Sequence, residues 1–280
     1  MRIFSTATLL ALCLAAPALQ AADAPVRELL QPPTTQIPSP ITDRFEITGL
    51  YSFDKVSTEA RYDPSATVRG TNFFAEKLLG MDDTLRTGTL GLMFRLTDRG
   101  RVWVDYFKLS RHGDTVINQS LTIGNTNYLL SDRLITDLDL RILGLSYGYS
   151  FLKTERFELG AGLGVHIIQA SGAGEVPVRR QRDTFDGVGA LPSLLVDGTW
   201  RFAKRFSASG RVQYLAANIN GIDGSFTNYD LNVQFRAWKN LALGAGYAKK
   251  HVLVSSTDPS NSGRVDFQVK GPELFLRASF

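Results

Sequence analysis

The chain has 280 residues, with 31 Lys and Arg against 27 Asp and Glu and a formal net charge of +4. This small imbalance excludes the concentrated basic surface of a nucleic-acid-binding protein, so we expect no nucleic-acid partner. The single cysteine, Cys13, excludes a disulfide framework.

The first 21 residues have the layout of a secretory signal peptide. Arg2 supplies a positive charge, an apolar stretch follows, and "QAADA" offers small residues for cleavage near Ala21. We therefore predict an exported protein. Residues 22–42 contain five prolines and no periodicity, which predicts an extended periplasmic linker. No later apolar run approaches the length of a transmembrane helix.

From residue 43 to residue 280 the dominant pattern has period two. In "RFELGAGLGVHI", apolar residues at 157, 159, 161, 163, 165 and 167 alternate with polar residues or glycine. Such alternation favours strands with one apolar and one polar face. We predict ten long strands, at residues 44–54, 84–97, 101–112, 132–152, 156–171, 189–203, 205–218, 225–238, 240–253 and 264–280.

The predicted connections alternate between short turns and long polar links. The turns lie at 97–100, 153–156, 203–205 and 239–240, and the links at 55–83, 113–131, 172–188, 219–224 and 254–263. This asymmetry is typical of an outer-membrane barrel, whose short turns face the periplasm. A soluble sandwich also alternates, but aromatic residues beside the short turns favour a membrane interface: Tyr147, Tyr149, Phe151, Trp200 and Phe202. We predict an all-β, antiparallel, up-and-down transmembrane barrel of about ten strands, with eight or twelve as alternatives.

The signal peptide, the alternating strands and the terminal Phe280, preceded by Leu276 and Ala278, resemble Gram-negative outer-membrane β-barrel proteins. In that family such a last strand resembles the signal read by the barrel-assembly machinery. The segment "TNFFAEKLLGMDDTLRTGTLGLMFRLTDRGRVWVDYFKLSRHGDT" is similar to small proteobacterial barrels of poorly defined role, although "KLLGM" replaces their usual acids. The resemblance implies an outer-membrane location, with membrane lipids, the assembly machinery and periplasmic chaperones as partners, and it implies no activity.

A ten-stranded barrel has a narrow lumen, so the inward parity of the strands predicts the residues that line it. Arg suits buried pairing because its planar fork bonds carboxylates through two N–H groups. The network either plugs the barrel or forms a selectivity constriction for an anionic or polar solute. Its predicted members are Glu46, Asp105, Glu158, His166, Asp197, Arg201, Arg211, Asp230, Arg236, Glu273 and Arg277.

The strand predicted at 132–152 carries charges on the parity of its lipid-facing aromatics. Arg133, Asp137, Asp139 and Arg141 share this parity with Tyr147. Either a bulge near 140–143 changes the register, or the charged half projects above the membrane. The long polar link before this strand favours the second interpretation.

The link 55–83 is unexpectedly apolar, with Phe73, Phe74, Leu78 and Leu79 in its second half. It could fold inward as a plug, lie on the outer leaflet as an amphipathic turn, or add a strand pair. Long links of this kind are often functional, so we expect it to set gating or partner binding.

No motif assigns a reaction to the chain. His112 and His251 lie at outer strand ends and His166 faces the lumen, without a local Ser–His pair, a metal spacing or a nucleophile elbow. We expect a monomer with no enzyme activity, cofactor or metal. It would bind through its outer loops or pass small polar solutes slowly through a charged lumen. The alternative is a lipid-modifying hydrolase or acyltransferase of the outer membrane, using Ser and His with an acid.

Overall fold

The computed structural model describes residues 39–62, 72–118, 120–123, 126–219, 222–256 and 263–280. The predicted signal peptide and residues 22–38 of the predicted linker lie outside this part of the chain. No helix within it is long and apolar enough to span a membrane. In chain order the elements are β1 (Phe45–Tyr62), β2 (Phe73–Phe74), α1 (Ala75–Leu78), β3 (Thr84–Arg95), β4 (Gly100–Val116), β5 (Leu121–Ile123), β6 (Thr126–Tyr128), β7 (Arg133–Lys153), β8 (Phe157–Val176), a 3-10 turn (Pro177–Arg179), β9 (Gln181–Trp200), β10 (Phe206–Ile219), β11 (Ile222–Trp238), β12 (Leu241–Ser256) and β13 (Gly263–Ser279).

Ten of these strands form a closed antiparallel barrel, which confirms the predicted fold class and strand count. The order is β1, β3, β4 and then β7 to β13, and β13 pairs with β1. The register followed once round the sheet from Ser57 returns to β1 at Phe45, a displacement of twelve residues. Such a displacement requires the strands to tilt against the barrel axis.

The end of the barrel that carries the short turns is apolar on its outside. Between these turns and the middle of the strands, every charged side chain of the barrel strands points into the lumen. Aromatic rings cluster beside the turns, with 5.4 Å between the ring centroids of Trp200 and Phe202 and 5.0 Å between those of Phe206 and Phe235. Tyr147, Tyr149 and Phe151 are exposed nearby. This surface has the apolar band and interfacial aromatics of a barrel in lipid.

The polarity of the wall reverses in the outer half of the strands. On β7, Leu140 and Ile142 are buried in the lumen, whereas Asp137 and Asp139 lie on the outward face. Apolar side chains fill the outer lumen in two clusters, an inner one of Val56, Phe107, Leu109, Leu140, Ile142, Phe267 and Val269 and an outer one of Ala75, Leu78, Leu79, Met81, Ile117, Leu134 and Val176. A polar outside around an apolar core suits water, so the barrel continues beyond the membrane.

The course of β7 decides between the two interpretations of its charges. Its pairing with β4 and β8 runs without a shift from Ile135 to Tyr149, and the one irregularity lies between Ser150 and Leu152. A bulge near residues 140–143 is therefore excluded. The charged half of β7 lies above the apolar band, as predicted.

Several strands are longer than predicted, and the link expected at 172–188 is wrong. β8 continues to Val176 and β9 begins at Gln181, so little more than a 3-10 turn separates them. β1 likewise runs to Tyr62, into the link predicted at 55–83. The predicted strands ended where the apolar outward face ends. That face ends where each strand leaves the membrane, although the strand itself continues.

The second half of the predicted link 55–83 completes the wall outside β3. β3 begins at Thr84, whereas its neighbours β1 and β4 continue further outward. Short strand β2 pairs with β1 at Glu59 and Ala60, and Met81 forms a bridge to Gly113 of β4. This segment therefore fills a gap between two strands, and strand pairing, one of the three alternatives that the sequence left open, is present for two residues.

The four apolar residues singled out in this segment have different surroundings. Leu78 and Leu79 are buried in the outer apolar cluster, and Phe73 packs against it. Phe74 is exposed, with Lys77 Nζ 5.3 Å from the centre of its ring. Helix α1 and the residue after it thus place two leucines inward.

We predict that the outer lumen contributes more to stability than the lipid-facing surface. Leu140→Ala leaves a cavity in the inner apolar cluster and should lower the free energy of unfolding by about 2–5 kcal/mol. Leu145→Ala, on the outward face of the same strand, should cost less than half as much because lipid fills the space. Urea unfolding in vesicles measures both changes. Equal losses would contradict an apolar core above the membrane.

Candidate functional site

An ion-pair network closes the lower mouth of the barrel, at the end of the short turns. Arg95, the last residue of β3, donates hydrogen bonds of 2.8 and 3.0 Å to the two carboxylate oxygens of Glu158. Arg101, just after the next turn, lies 2.7 Å from Asp197 and 3.4 Å from Glu158. Ser150 donates a further bond of 2.7 Å to Glu158. All these side chains are buried, so charges from four strands are neutralised across the lumen.

The residues before β1 fold into the same mouth. Ser39, Ile41 and Asp43 are buried, and Asp43 pairs with Arg236 of β11. Arg95 also donates to the backbone oxygen of Asp43, at 3.1 Å. The end of the predicted linker, residues 39–42, therefore belongs to the floor of the lumen.

A fourth arginine connects the last strand to this floor. Arg277 of β13 donates to the Thr48 hydroxyl at 3.0 Å and to the Gln234 side chain at 2.9 Å. Its Nε lies 3.7 Å from the carboxylate of Glu46 on β1. Side-chain bonds therefore join the two strands that close the barrel.

A small polar cavity lies above the floor. It encloses about 120 Å³ and is lined by Trp103, Asp105, Arg211 and Asp230, among others. Arg211 bonds Asp105 at 3.0 Å across it. This volume holds roughly four water molecules. Glu273 is buried nearby in the wall of the lumen.

His166 lies at the next level and is enclosed. Its ring centroid is 4.3 Å from that of Phe226, and Ser193 Oγ lies 3.5 Å from its Nδ1. Both His166 and Ser193 are buried inside the barrel, out of reach of lipid. This histidine therefore packs in the lumen, as the sequence suggested.

A buried arginine fastens the outer end of the lumen. Arg111 of β4 donates at 2.8 Å to Glu76 of α1 and at 2.8 Å to the Thr58 hydroxyl of β1. It also donates to the backbone oxygen of Asp82, at 2.7 Å. Arg111 thereby holds the inserted segment between the two strands that it separates.

One predicted member of the network lies elsewhere. β9 ends at Trp200, so Arg201 belongs to the turn that follows. Among the described residues it shares no ion pair with the lumen network, and its backbone N–H donates to Arg156. The prediction extended the strand to residue 203 and so kept Arg201 on the inward parity.

Sequence reasoning missed four charged residues that the network requires. Arg95, Arg101 and Arg111 lie on the inward parity of their strands, and extending the parity rule to every strand would have found them. Asp43 offered no such signal, because its inward position depends on a turn before β1 that carries no periodic pattern.

A polar groove on the outer wall is a second candidate site. Ser110 and His112 are two residues apart on the outward face of β4, opposite Asp139 and Asp137 of β7. Ser110 donates to Asp139 at 2.5 Å, and His112 Nδ1 lies 2.7 Å from Asp137. This hydrogen bond to Asp137 raises the pKa of His112, since it stabilises the charged ring.

The groove leaves His112 accessible to solvent. The groove has a volume of about 530 Å³, and Thr184 and Asp186 of β9 line the side opposite His112. More than half of the His112 side chain is exposed. Within the described chain, no group of three or more His, Cys, Asp or Glu residues is arranged to hold a metal ion.

We predict that Glu158 is the central anion of the floor. Glu158→Ala leaves Arg95 without its carboxylate partner in a buried site and should lower the free energy of unfolding by about 3–5 kcal/mol. Glu155→Ala, in the exposed turn nearby, should leave it unchanged. Chemical unfolding of both variants in the same lipid measures the difference. A Glu158 variant as stable as the wild type would show that the floor is not needed for folding.

No protein-family model and no curated protein matches the chain. Among solved structures, the outer-membrane protease OmpT from Escherichia coli aligns with a TM-score of 0.57 and 10% identity, over 85% of this chain and 97% of OmpT. OprG from Pseudomonas aeruginosa aligns with a TM-score of 0.36 and 14% identity, over 85% of this chain and 96% of OprG. The P. putida toluene transporter TodX aligns with a TM-score of 0.35 and 9% identity, over 87% of this chain and 93% of TodX.

The likeness to OmpT concerns the fold and not the protease activity, because the identity is so low. The TM-scores of OprG and TodX are too low to carry an argument. The apolar outward band independently requires a lipid environment. The chain therefore has the fold of an outer-membrane β-barrel.

Proposed function

We propose that the chain is a non-conducting outer-membrane barrel that works by binding at its outer end. The observation that supports this role is the filled lumen. Buried ion pairs occupy the lower mouth, and two apolar clusters occupy the outer half. A solute path would have to break these ion pairs and pass through packed apolar side chains. Passage of solutes, the other role that the sequence left open, is therefore disfavoured.

The length of the strands also supports a role outside the membrane. A spanning strand needs about 9–11 residues. β7 has 21 residues, and β8 and β9 have 20 each. About half of each of these three strands therefore projects beyond the membrane, where it offers a polar surface to a ligand.

We expect no stepwise conductance when the purified protein is inserted into planar bilayers. Because the two apolar clusters also block the lumen above the floor, Arg95→Ala should show no conductance either. Insertion is checked by the shift in gel mobility between heated and unheated samples. Reproducible channels in the wild type, altered by Arg95→Ala and unaltered by the surface variant Glu155→Ala, would refute the proposal in favour of solute passage.

The outer groove supports a second candidate function, hydrolysis of a lipid ester. Asp137 orients His112 through Nδ1, which leaves Nε2 free to act as a base. In this scheme Ser110 turns from Asp139 and attacks the ester carbonyl carbon, and His112 takes its proton and passes it to the leaving alcohol. Water then releases the acid from the acylated serine. Unlike the enclosed His166, His112 lies in a groove of the outer wall that is open to solvent.

This second function predicts that a fluorophosphonate probe labels Ser110 in the intact barrel. The label should disappear in Ser110→Ala and fall at least tenfold in His112→Ala, because the serine loses its base. Ser171→Ala, in the same groove on β8, should label like the wild type. Mass spectrometry of the labelled peptide and of lipids from expressing cells provides the readout. Absence of label in the wild type would eliminate the hydrolase.

A further inference from the structure

The outer edge of the apolar band carries positive charge on one side of the barrel. On six adjacent strands, the outward-facing charged residue nearest to the short turns is a base. These bases are Lys249 on β12, Lys270 on β13, Lys55 on β1, Arg86 on β3, Lys108 on β4 and Arg141 on β7. We call these six residues the basic half-collar.

The opposite side of the barrel has no such bases. On β8, β9 and β11 the first outward charges are Glu175, Asp186 and Asp223, and each lies further from the membrane than the bases do. The described residues of β10 carry no outward charge above the apolar band. The charge is therefore confined to six of the ten strands.

Strand pairing brings the half-collar residues together. Lys249, Lys270 and Lys55 are direct partners in one row across three strands. Lys108 and Arg141 are direct partners in a second row.

Arg86 lies between these two rows. It is two residues from Thr84, the partner of Lys55, and two residues from Gly88, the partner of Lys108. Because the register is displaced by twelve residues round the ten strands, directly paired residues shift along the barrel axis by about one residue from each strand to the next. With this shift included, all six bases lie at the same height on the barrel to within roughly two or three residues.

None of the six bases forms an ion pair within the described chain. Other outward arginines do: Arg133 pairs with Asp114, Arg182 with Glu175, and Arg264 with Asp266. Like charges directly opposite each other on neighbouring strands are destabilising. The rows therefore lack the anions that would offset their repulsion.

Tyrosines fix the position of the half-collar relative to the membrane. Tyr51, Tyr106 and Tyr247 are exposed and lie two to four residues closer to the membrane centre on β1, β4 and β12. Tyrosine is typical of the membrane–water interface, where its ring is in lipid and its hydroxyl in the headgroup layer. The bases therefore lie at the height of the outer-leaflet headgroups.

We propose that the basic half-collar binds the phosphate groups of anionic lipids in the outer leaflet. The lysine row offers three ammonium groups side by side, and Arg86 and Arg141 offer planar forks that bond phosphate through two N–H groups. A lipid with two phosphates can contact both rows, since they lie at one level. This binding goes beyond the proposed function and would hold whether or not the lumen conducts.

The test is lipid binding by the full chain in detergent, measured by native mass spectrometry. The probes are bisphosphorylated lipid A and the same lipid after removal of its phosphates. One variant combines Lys55→Gln, Lys249→Gln and Lys270→Gln, and a second combines Lys108→Gln and Arg141→Gln. The control combines Arg133→Gln and Arg182→Gln, which removes two outward charges that already have acidic partners. The mobility shift on unheated gels checks that each variant is folded.

We expect the wild type to prefer the phosphorylated lipid and to lose it as salt rises. Affinity should fall roughly fivefold for each half-collar charge removed, whereas the control should bind like the wild type. Equal binding of the dephosphorylated lipid would overturn the proposal. Wild-type affinity in both half-collar variants, or an equal loss in the control, would overturn it as well.

Discussion

The structure depends on pairing every backbone amide of a wall that stands in hydrocarbon. Lipid offers no hydrogen bonds, so an unpaired strand edge would cost several kcal/mol per group. β13 therefore pairs with β1 along nearly its whole length, from Ser279 to Gly263. Closure fixes the strand number and the displacement of the register, and these decide which side chains share a level. The ion pairs of the floor and the row of lysines outside it both follow from this register.

The alternating pattern of the sequence predicted the membrane half of the barrel well, because there one face must be apolar. The segment around Leu163 and Leu194 shows this alternation clearly, and both side chains lie exposed on the outer wall. The same rule failed in the outer half, where Leu140 is inward and Asp139 outward. Alternation persists there with opposite phase, so strand β8 extends beyond the predicted end at 171. The point at which a strand passes from lipid into water cannot be found from the period of the hydrophobic pattern alone.

Parity also predicted most of the residues that line the lumen, but it could not predict their partners. Glu158 was placed correctly, whereas Arg95, which binds it from 63 positions away, was missed. Such pairs depend on the tilt of the strands, which a single sequence does not encode locally. The outer groove was missed for a similar reason. His112 and Asp137 are 25 positions apart and meet only because β4 and β7 are neighbours in the sheet.

The floor built by Arg95, Glu158 and Arg236 bears on how much of this protein a cell can tolerate. A wide barrel adds a hole to the permeability barrier for every copy inserted, and the cell limits such proteins accordingly. Under the proposed non-conducting role, a barrel whose lower mouth is filled by buried ion pairs would add wall to the membrane without adding such a hole. Its abundance would then be limited by membrane area and not by leakage.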